Sequence, residues 1–442
     1  MLGSMGRLKP GRAQVVSNAA WLWLEQVFRL SIGLFVGVWV ARYLGPQQFG
    51  AYSYALAFVA LFGPIARMGL DSLVIRDIAR EPESKDEVLG TTFLLKAVGG
   101  GVATTLAIAV ILGLNHGDGA TCAMVALIAL GFVFQPFDVI NLYFTAQQQQ
   151  KFAVAAKTTA YVLVNLLKLW LIMRMAPLSA FALTSLAETG LAACCLLVGY
   201  RTAGERIRRW RFSAERARAT ARESWPLILS GLTFLLYSKI DQVMLGALTT
   251  KTELAFYAVA VKLAEVTDFI PLILQTLFLP RLSGLYKDRP AEYRRHLQVY
   301  FDLMLVTWLG VAIVISVAAS PLVAVMYGAT YAPAAAILAV YAWGQFGSNL
   351  GIARGTLLTV EGKVHLNFYI QALGALFNIL LNLFAIPRFG ALGATVATLL
   401  TNLLVAVALN AALPDLRAVW RLIIRACHLR NVAQRVSQAV WG

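Results

Sequence analysis

Apolar residues in this chain gather into blocks of about twenty, the length an α-helix needs to cross a hydrocarbon layer of ~30 Å. Bounded by polar residues, Gly or Pro, the blocks lie at 17–41, 49–69, 89–113, 119–144, 152–173, 178–200, 224–248, 254–279, 299–325, 334–360, 364–386 and 391–413, twelve predicted spans. Runs such as 102–114 lack the alternation of barrel strands. A water-soluble fold fails on composition: 59% of residues are apolar and 14% charged, where a soluble domain has ~45–50% and ~25%. The expected class is an all-α polytopic membrane protein.

Basic residues in short loops stay on the cytoplasmic side of a membrane. Alternation across twelve spans places 26 Lys and Arg on one side, including Arg7, Lys9, Arg430 and the clusters at 201–222 and 281–295. The other side receives only Arg42, Arg174, Lys251 and Arg388, so both termini are expected in the cytoplasm. Most of the net charge of +16 is therefore topology. The Arg clusters lack a presenting fold and interleaved aromatics, and no nucleic acid is expected as a partner. Arg417, Arg421 and Arg425 recur every four residues around Trp420, Leu422 and Ile423, as in an amphipathic helix lying on anionic membrane lipids. The first block is too long for a signal-peptide core and reads as a signal anchor. Cys122, Cys194, Cys195 and Cys427 fall in spans or the tail and imply no disulfide framework.

Two halves of six spans would enter the membrane in the same direction, as parallel repeats do. Residues 165–180 align without a gap on 378–393, matching Asn165 to Asn378, and 49–55 align on 254–260, matching Tyr52 to Tyr257. The expected organisation is an N-terminal six-helix bundle (1–203), a basic cytoplasmic linker (204–223), a C-terminal six-helix bundle (224–413) and a basic amphipathic cytoplasmic tail (414–442), with a cleft between two lobes.

An ionisable side chain at mid-membrane costs at least ~2.5–3.5 kcal/mol, so it faces a partner or a wet cavity. Arg29, Arg67, Lys96, Lys157, Lys168, Lys239, Lys262 and Arg354 fall inside spans, together with Glu25, Asp138, Glu188, Asp241, Glu265 and Asp268. Lipid exposure of them all would cost tens of kcal/mol, beyond a fold stable by ~5–15 kcal/mol, which points to a polar interior. Arg29, and Lys239 with Asp241, lie deepest, whereas Lys96, Lys157, Arg67 and Arg354 are near enough to span ends to snorkel. Glu25 with Arg29, and Lys262 with Glu265, share helix faces and can neutralise each other. Lys168 has no acid within one turn of its own helix and is the better candidate for free positive charge.

Excess cavity cations suit a phosphate or pyrophosphate head group. The candidate cargo-binding residues are Arg29, Lys168, Lys239, Lys262, Lys157 and Arg354. Asp241, Glu25, Asp138 and Asp268 are candidates for a proton or sodium site, or for hydrogen bonds in helix interfaces. There is no phosphate-binding loop, no His/Cys cluster and no long extramembrane segment, so no cofactor, metal or enzyme activity is expected. Pro64, Pro136, Pro226, Pro271 and Pro321 offer hinges within spans.

The segments Ala41-Arg-Tyr-Leu-Gly-Pro-Gln-Gln-Phe-Gly-Ala-Tyr-Ser-Tyr-Ala, Met68-Gly-Leu-Asp-Ser-Leu-Val-Ile-Arg, Tyr237-Ser-Lys-Ile-Asp-Gln-Val-Met-Leu-Gly and Phe278-Leu-Pro-Arg-Leu-Ser resemble the polysaccharide-biosynthesis export family. So does the stretch from Asn378 through Pro387-Arg-Phe-Gly-Ala-Leu-Gly-Ala. That family includes the Wzx-type O-antigen flippases of the multidrug/oligosaccharidyl-lipid/polysaccharide superfamily. The resemblance implies two six-helix bundles, a bacterial inner-membrane location and flipping of an undecaprenyl-pyrophosphate-linked oligosaccharide by alternating access through a cationic lumen. Polysaccharide-assembly proteins are its implied neighbours. Lys239 and Asp241 occupy the family's basic-x-Asp pattern, with Lys where Arg is frequent. The alternatives are a related antiporter, a lipid II flippase or a polytopic polysaccharide polymerase.

Overall fold

The computed structural model describes residues 12–114, 118–428, 432 and 435; Arg7, Lys9 and Arg430 lie outside them. Among those residues every regular element is helical. Among the described residues, eight helices are long and apolar enough to cross a membrane: Glu25–Ala60, Pro82–Leu114, Gly119–Ala146, Gln150–Met173, Leu178–Thr202, Ala214–Leu248, Pro290–Tyr327 and Val364–Ala412.

Ten of the twelve predicted blocks fall in these eight helices, and 254–279 and 334–360 lie outside them. Block 17–41 and residues 49–60 of block 49–69 share one helical stretch, with Gly63–Arg67 a separate short helix, and blocks 364–386 and 391–413 share another. Straight, the 49 residues of the latter would reach ~70 Å, over twice the hydrocarbon thickness. Each stretch instead turns at a glycine outside helical geometry, Gly45 (φ 68°, ψ 170°) and Gly390 (φ 54°, ψ −134°), where a Cβ would be strained. Block 254–279 is divided by the 3₁₀ turn Val266–Asp268 into Lys251–Glu265 and Phe269–Leu285. Block 334–360 forms one helix, Ala334–Val360, whose Gln345, Ser348, Asn349 and Arg354 dilute its hydropathy.

The chain divides into two compact units, Met1–Tyr43 with Phe58–Leu232, and Leu44–Ala57 with Thr233–Gly442. In the first, Val74 and Ile78 of the Asp71–Arg80 helix and its N-cap Leu70 are buried against Leu89, Ile140, Phe144 and Tyr200. The stretch 204–223 is bound to this unit. Arg211 N–H donates to the Asp86 carbonyl at 3.1 Å, Ser213 N–H to Thr91 Oγ1 at 3.1 Å, and Arg216 pairs with Glu87 at 2.9 Å. Trp210 packs 5.6 Å from Phe93 and 5.8 Å from Tyr200, and Arg76 grips Glu223 through both guanidinium arms.

Glu205 accepts from Lys85 and, at 2.9 Å, from Tyr143. Burial opposes its ionisation, but these donors outweigh that and hold the carboxyl below its usual range. Their stabilisation is present above the ordinary carboxylate range and lost as pH falls through the depressed value. Glu205→Gln is expected to speed tryptic cleavage at Arg206 to Arg209 about fivefold at neutral pH, or ~1 kcal/mol of attachment. Unchanged cleavage would mean that aromatic packing alone holds the segment.

The second unit is built on Tyr300, Phe301, Met304, Leu350 and Ile370, with Leu416, Val419 and Ile423 of the tail buried among them. The Arg417–Cys427 helix thus lays its apolar face on protein, where its pattern alone suggested a lipid surface; Arg417, Arg421 and Arg425 stay exposed. Arg435 fastens the tail to the fully buried Asp302 at 2.6 Å. Leu44–Ala57 joins this unit through Gly50, where a Cβ would sit 1.7 Å from the Lys251 carbonyl.

Candidate functional site

In the first unit, three helices converge on Arg29. Its guanidinium lies 3.7 Å from Glu25, one turn away, 3.7 Å from Glu188 and 4.5 Å over the Tyr161 ring. The Tyr161 hydroxyl donates to the Arg29 carbonyl at 3.0 Å, an approach allowed by Gly33, where a Cβ would meet that hydroxyl at 2.4 Å. Lys168 lies 3.9 Å from the second Glu188 oxygen. The charge expected to be free is therefore compensated, by an acid from the next helix. The Arg29 side chain is 34% exposed and that of Glu188 30%.

A second group lines a cavity of about 370 Å³ in the same unit. Lys157 pairs with Asp138 at 3.0 Å, at the end of the 3₁₀ stretch Leu130–Asp138. Asp71 holds the fully buried Lys96 at 2.6 Å, so Lys96 reaches no interface. Arg67 is exposed on the same cavity and has no ion-pair partner among the described residues.

In the second unit, Lys239 pairs with Glu265 at 3.0 Å. The expected Lys262–Glu265 pair does not form: the helix ends at Glu265, whose carboxylate meets Lys239, and Lys262 is exposed. Asp268 closes the 3₁₀ turn three residues on. Asp241 is 5% exposed and sits among neutral donors, accepting from Thr398 Oγ1 at 3.1 Å, from Gln242 N–H at 3.1 Å and from the Tyr257 hydroxyl. It is not paired with Lys239. Arg354 is 3% exposed and donates to the Val405 carbonyl at 3.0 Å, with no carboxylate partner among the described residues. It does not snorkel.

The family model described as "Polysaccharide biosynthesis protein" matches residues 39–336. The chain belongs to that family. No curated protein sequence matches it. Among solved structures, this polysaccharide biosynthesis protein is similar to the lipid II flippase MurJ in an inward closed conformation (TM-score 0.74, 14% identity, 91% of this chain and 90% of that one). It is also similar to a multidrug resistance MATE family transporter of the MOP superfamily (TM-score 0.70, 14% identity, 94% and 99%). At that identity the likeness is one of fold, and with the apolar helices it marks a multi-pass membrane protein that shares the fold of those two structures.

Within this family member, spacing on a single helix found Glu25 with Arg29 but missed Tyr161 and the pairing roles of Glu188 and Glu265. Lys96 with Asp71, Lys157 with Asp138, Lys168 with Glu188 and Lys239 with Glu265 each join consecutive apolar blocks or their flanks. Comparing positions across each connecting turn, rather than along each helix, is the signal that finds them.

Proposed function

We propose that the protein is a bacterial inner-membrane flippase. It carries an undecaprenyl-pyrophosphate-linked oligosaccharide, a repeat unit of O-antigen, capsule or exopolysaccharide, to the periplasmic leaflet by alternating access coupled to a proton or sodium gradient. The observation that carries this reading is the series of charged pairs in the first unit of a polysaccharide biosynthesis family member. Arg67 and Lys157 share a cavity, and Lys168, eleven residues along the same helix and ~16 Å along its axis, joins Arg29. Lys157 and Lys168 are each held by one carboxylate, at 3.0 and 3.9 Å. A pyrophosphate can displace each acid in turn, so that no cation is left bare in a low-dielectric interior. Asp241, caged by neutral donors, is the preferred coupling carboxylate over Glu25 and Asp138, which are engaged by cations.

Parallel duplication supports the two-bundle design. The turns at Gly45 and Thr250 share the offset of the 49–55 and 254–260 alignment, and those at Pro177 and Gly390 share that of 165–180 and 378–393. Reporter fusions at Arg211 and at His116, which lies outside the described residues, are expected to report cytoplasm and periplasm respectively; one side for both would refute the orientation. Expression in a host deleted for its repeat-unit flippase is expected to restore surface polymer. Failure there, with rescue of cells depleted of their lipid II flippase, would move the cargo to lipid II.

A further inference from the structure

The second unit encloses a cavity of about 300 Å³ whose lining includes Tyr237, Gln275, Ser348, Arg354, Asn367 and Gln371. Arg354 is its one charged residue; no carboxylate lines it. Nη1 is satisfied by the Val405 carbonyl, but Nε is buried without a hydrogen-bond partner. A buried guanidinium has given up its hydration, so an unused N–H there is an unmet demand for an acceptor. The open space lies at the Nη2 end of the guanidinium and is made by Gly351 and Gly355, one turn apart on the Ala334–Val360 helix. A Cβ added at either would meet nothing nearer than 4.0 Å and 3.8 Å.

The remaining lining groups define the guest. Amide and hydroxyl side chains each donate and accept, which matches sugar hydroxyls that do the same. Phosphate oxygens only accept, and a pyrophosphate would bring at least two charges to one cation. The volume, at the lower end of the ~300–1,000 Å³ range of ligand pockets, suits a small guest. We propose that this cavity is a subsite for one acidic sugar, its carboxylate on Arg354 and its hydroxyls on the amide side chains. The proposal rests on the flippase reading and adds a cargo class to it.

The test uses two flippase-deficient hosts, one building a repeat unit with a uronic acid and one a neutral unit, with surface polymer and membrane protein level measured in each. Arg354→Gln is expected to lower export of the acidic unit about tenfold more than that of the neutral unit, equivalent to ~1.4 kcal/mol. Gly355→Leu, which fills the cavity, is expected to impair the acidic unit likewise at normal protein level, and Arg354→Lys to restore part of it. Equal loss of both cargoes, no loss in either variant, or wild-type export of the neutral unit alone would overturn the proposal. If the wild type exports neither, the flippase reading fails, and purified protein still tests the cavity. There D-glucuronate is expected to raise the unfolding temperature of wild type but not of Arg354→Gln, with D-glucose and inorganic phosphate inert. A response to phosphate equal to that to glucuronate, or none to glucuronate, would overturn the assignment.

Discussion

Arg29→Ala is expected to abolish export, lowering surface polymer about a hundredfold (~2.7 kcal/mol) while leaving the protein in the membrane. The guanidinium serves Glu25, Glu188 and the Tyr161 face together. Its removal leaves Glu188 to Lys168 alone, deprives Glu25 of its cation and takes away the planar fork that a pyrophosphate would grip. Arg29→Lys keeps charge without the fork and is expected to fall between the two. Glu188→Gln separates binding from release: with its competitor gone from Arg29 and Lys168, cargo is expected to bind more tightly and leave more slowly, so that export falls while retained cargo rises. Full export by Arg29→Ala would exclude this cluster from the path.

Asp241→Asn is expected to uncouple transport. The amide nearly preserves volume and still accepts from Tyr257 or Thr398, but it cannot take up a proton or balance a sodium ion. Gradient-driven export in cells is expected to fall about tenfold or more, whereas downhill equilibration of lipid-linked glycan in liposomes without a gradient stays within about twofold. A merely structural hydrogen-bonding role would move both together. Tyr257→Phe, which removes one donor and keeps the carboxylate, is expected to shift the pH or sodium dependence of export with the coupling retained.

The spans were legible because membrane burial imposes one long-range pattern, a run of apolar side chains, that survives without tertiary information. Gly45 followed by Pro46 and Gly390 after Pro387 sat at the predicted breaks for the same local reason: φ values of 68° and 54° suit a residue without Cβ. Partnerships between spans were not legible. Lys168 looked free because its acid lies on the following helix, and Lys262 looked paired because spacing cannot register that the helix ends at Glu265. Arg354 looked able to snorkel from its distance to a span end, yet Val405, from the last apolar block, holds it inside. The tail illustrates the same limit: an amphipathic pattern fixes that one face is covered, and only packing shows that Val419 and Ile423 meet protein.

The central claim, movement of a lipid-linked oligosaccharide between leaflets, is tested most directly in sealed proteoliposomes containing purified protein and undecaprenyl-pyrophosphate-linked glycan. A membrane-impermeant reagent scores the fraction of glycan in the outer leaflet. The expected result is that nearly all the glycan becomes accessible with the protein present, only the original outer fraction in empty liposomes, and little more with Arg29→Ala. Accessibility that stays at the empty-liposome level with wild-type protein, under both proton and sodium gradients, would contradict it.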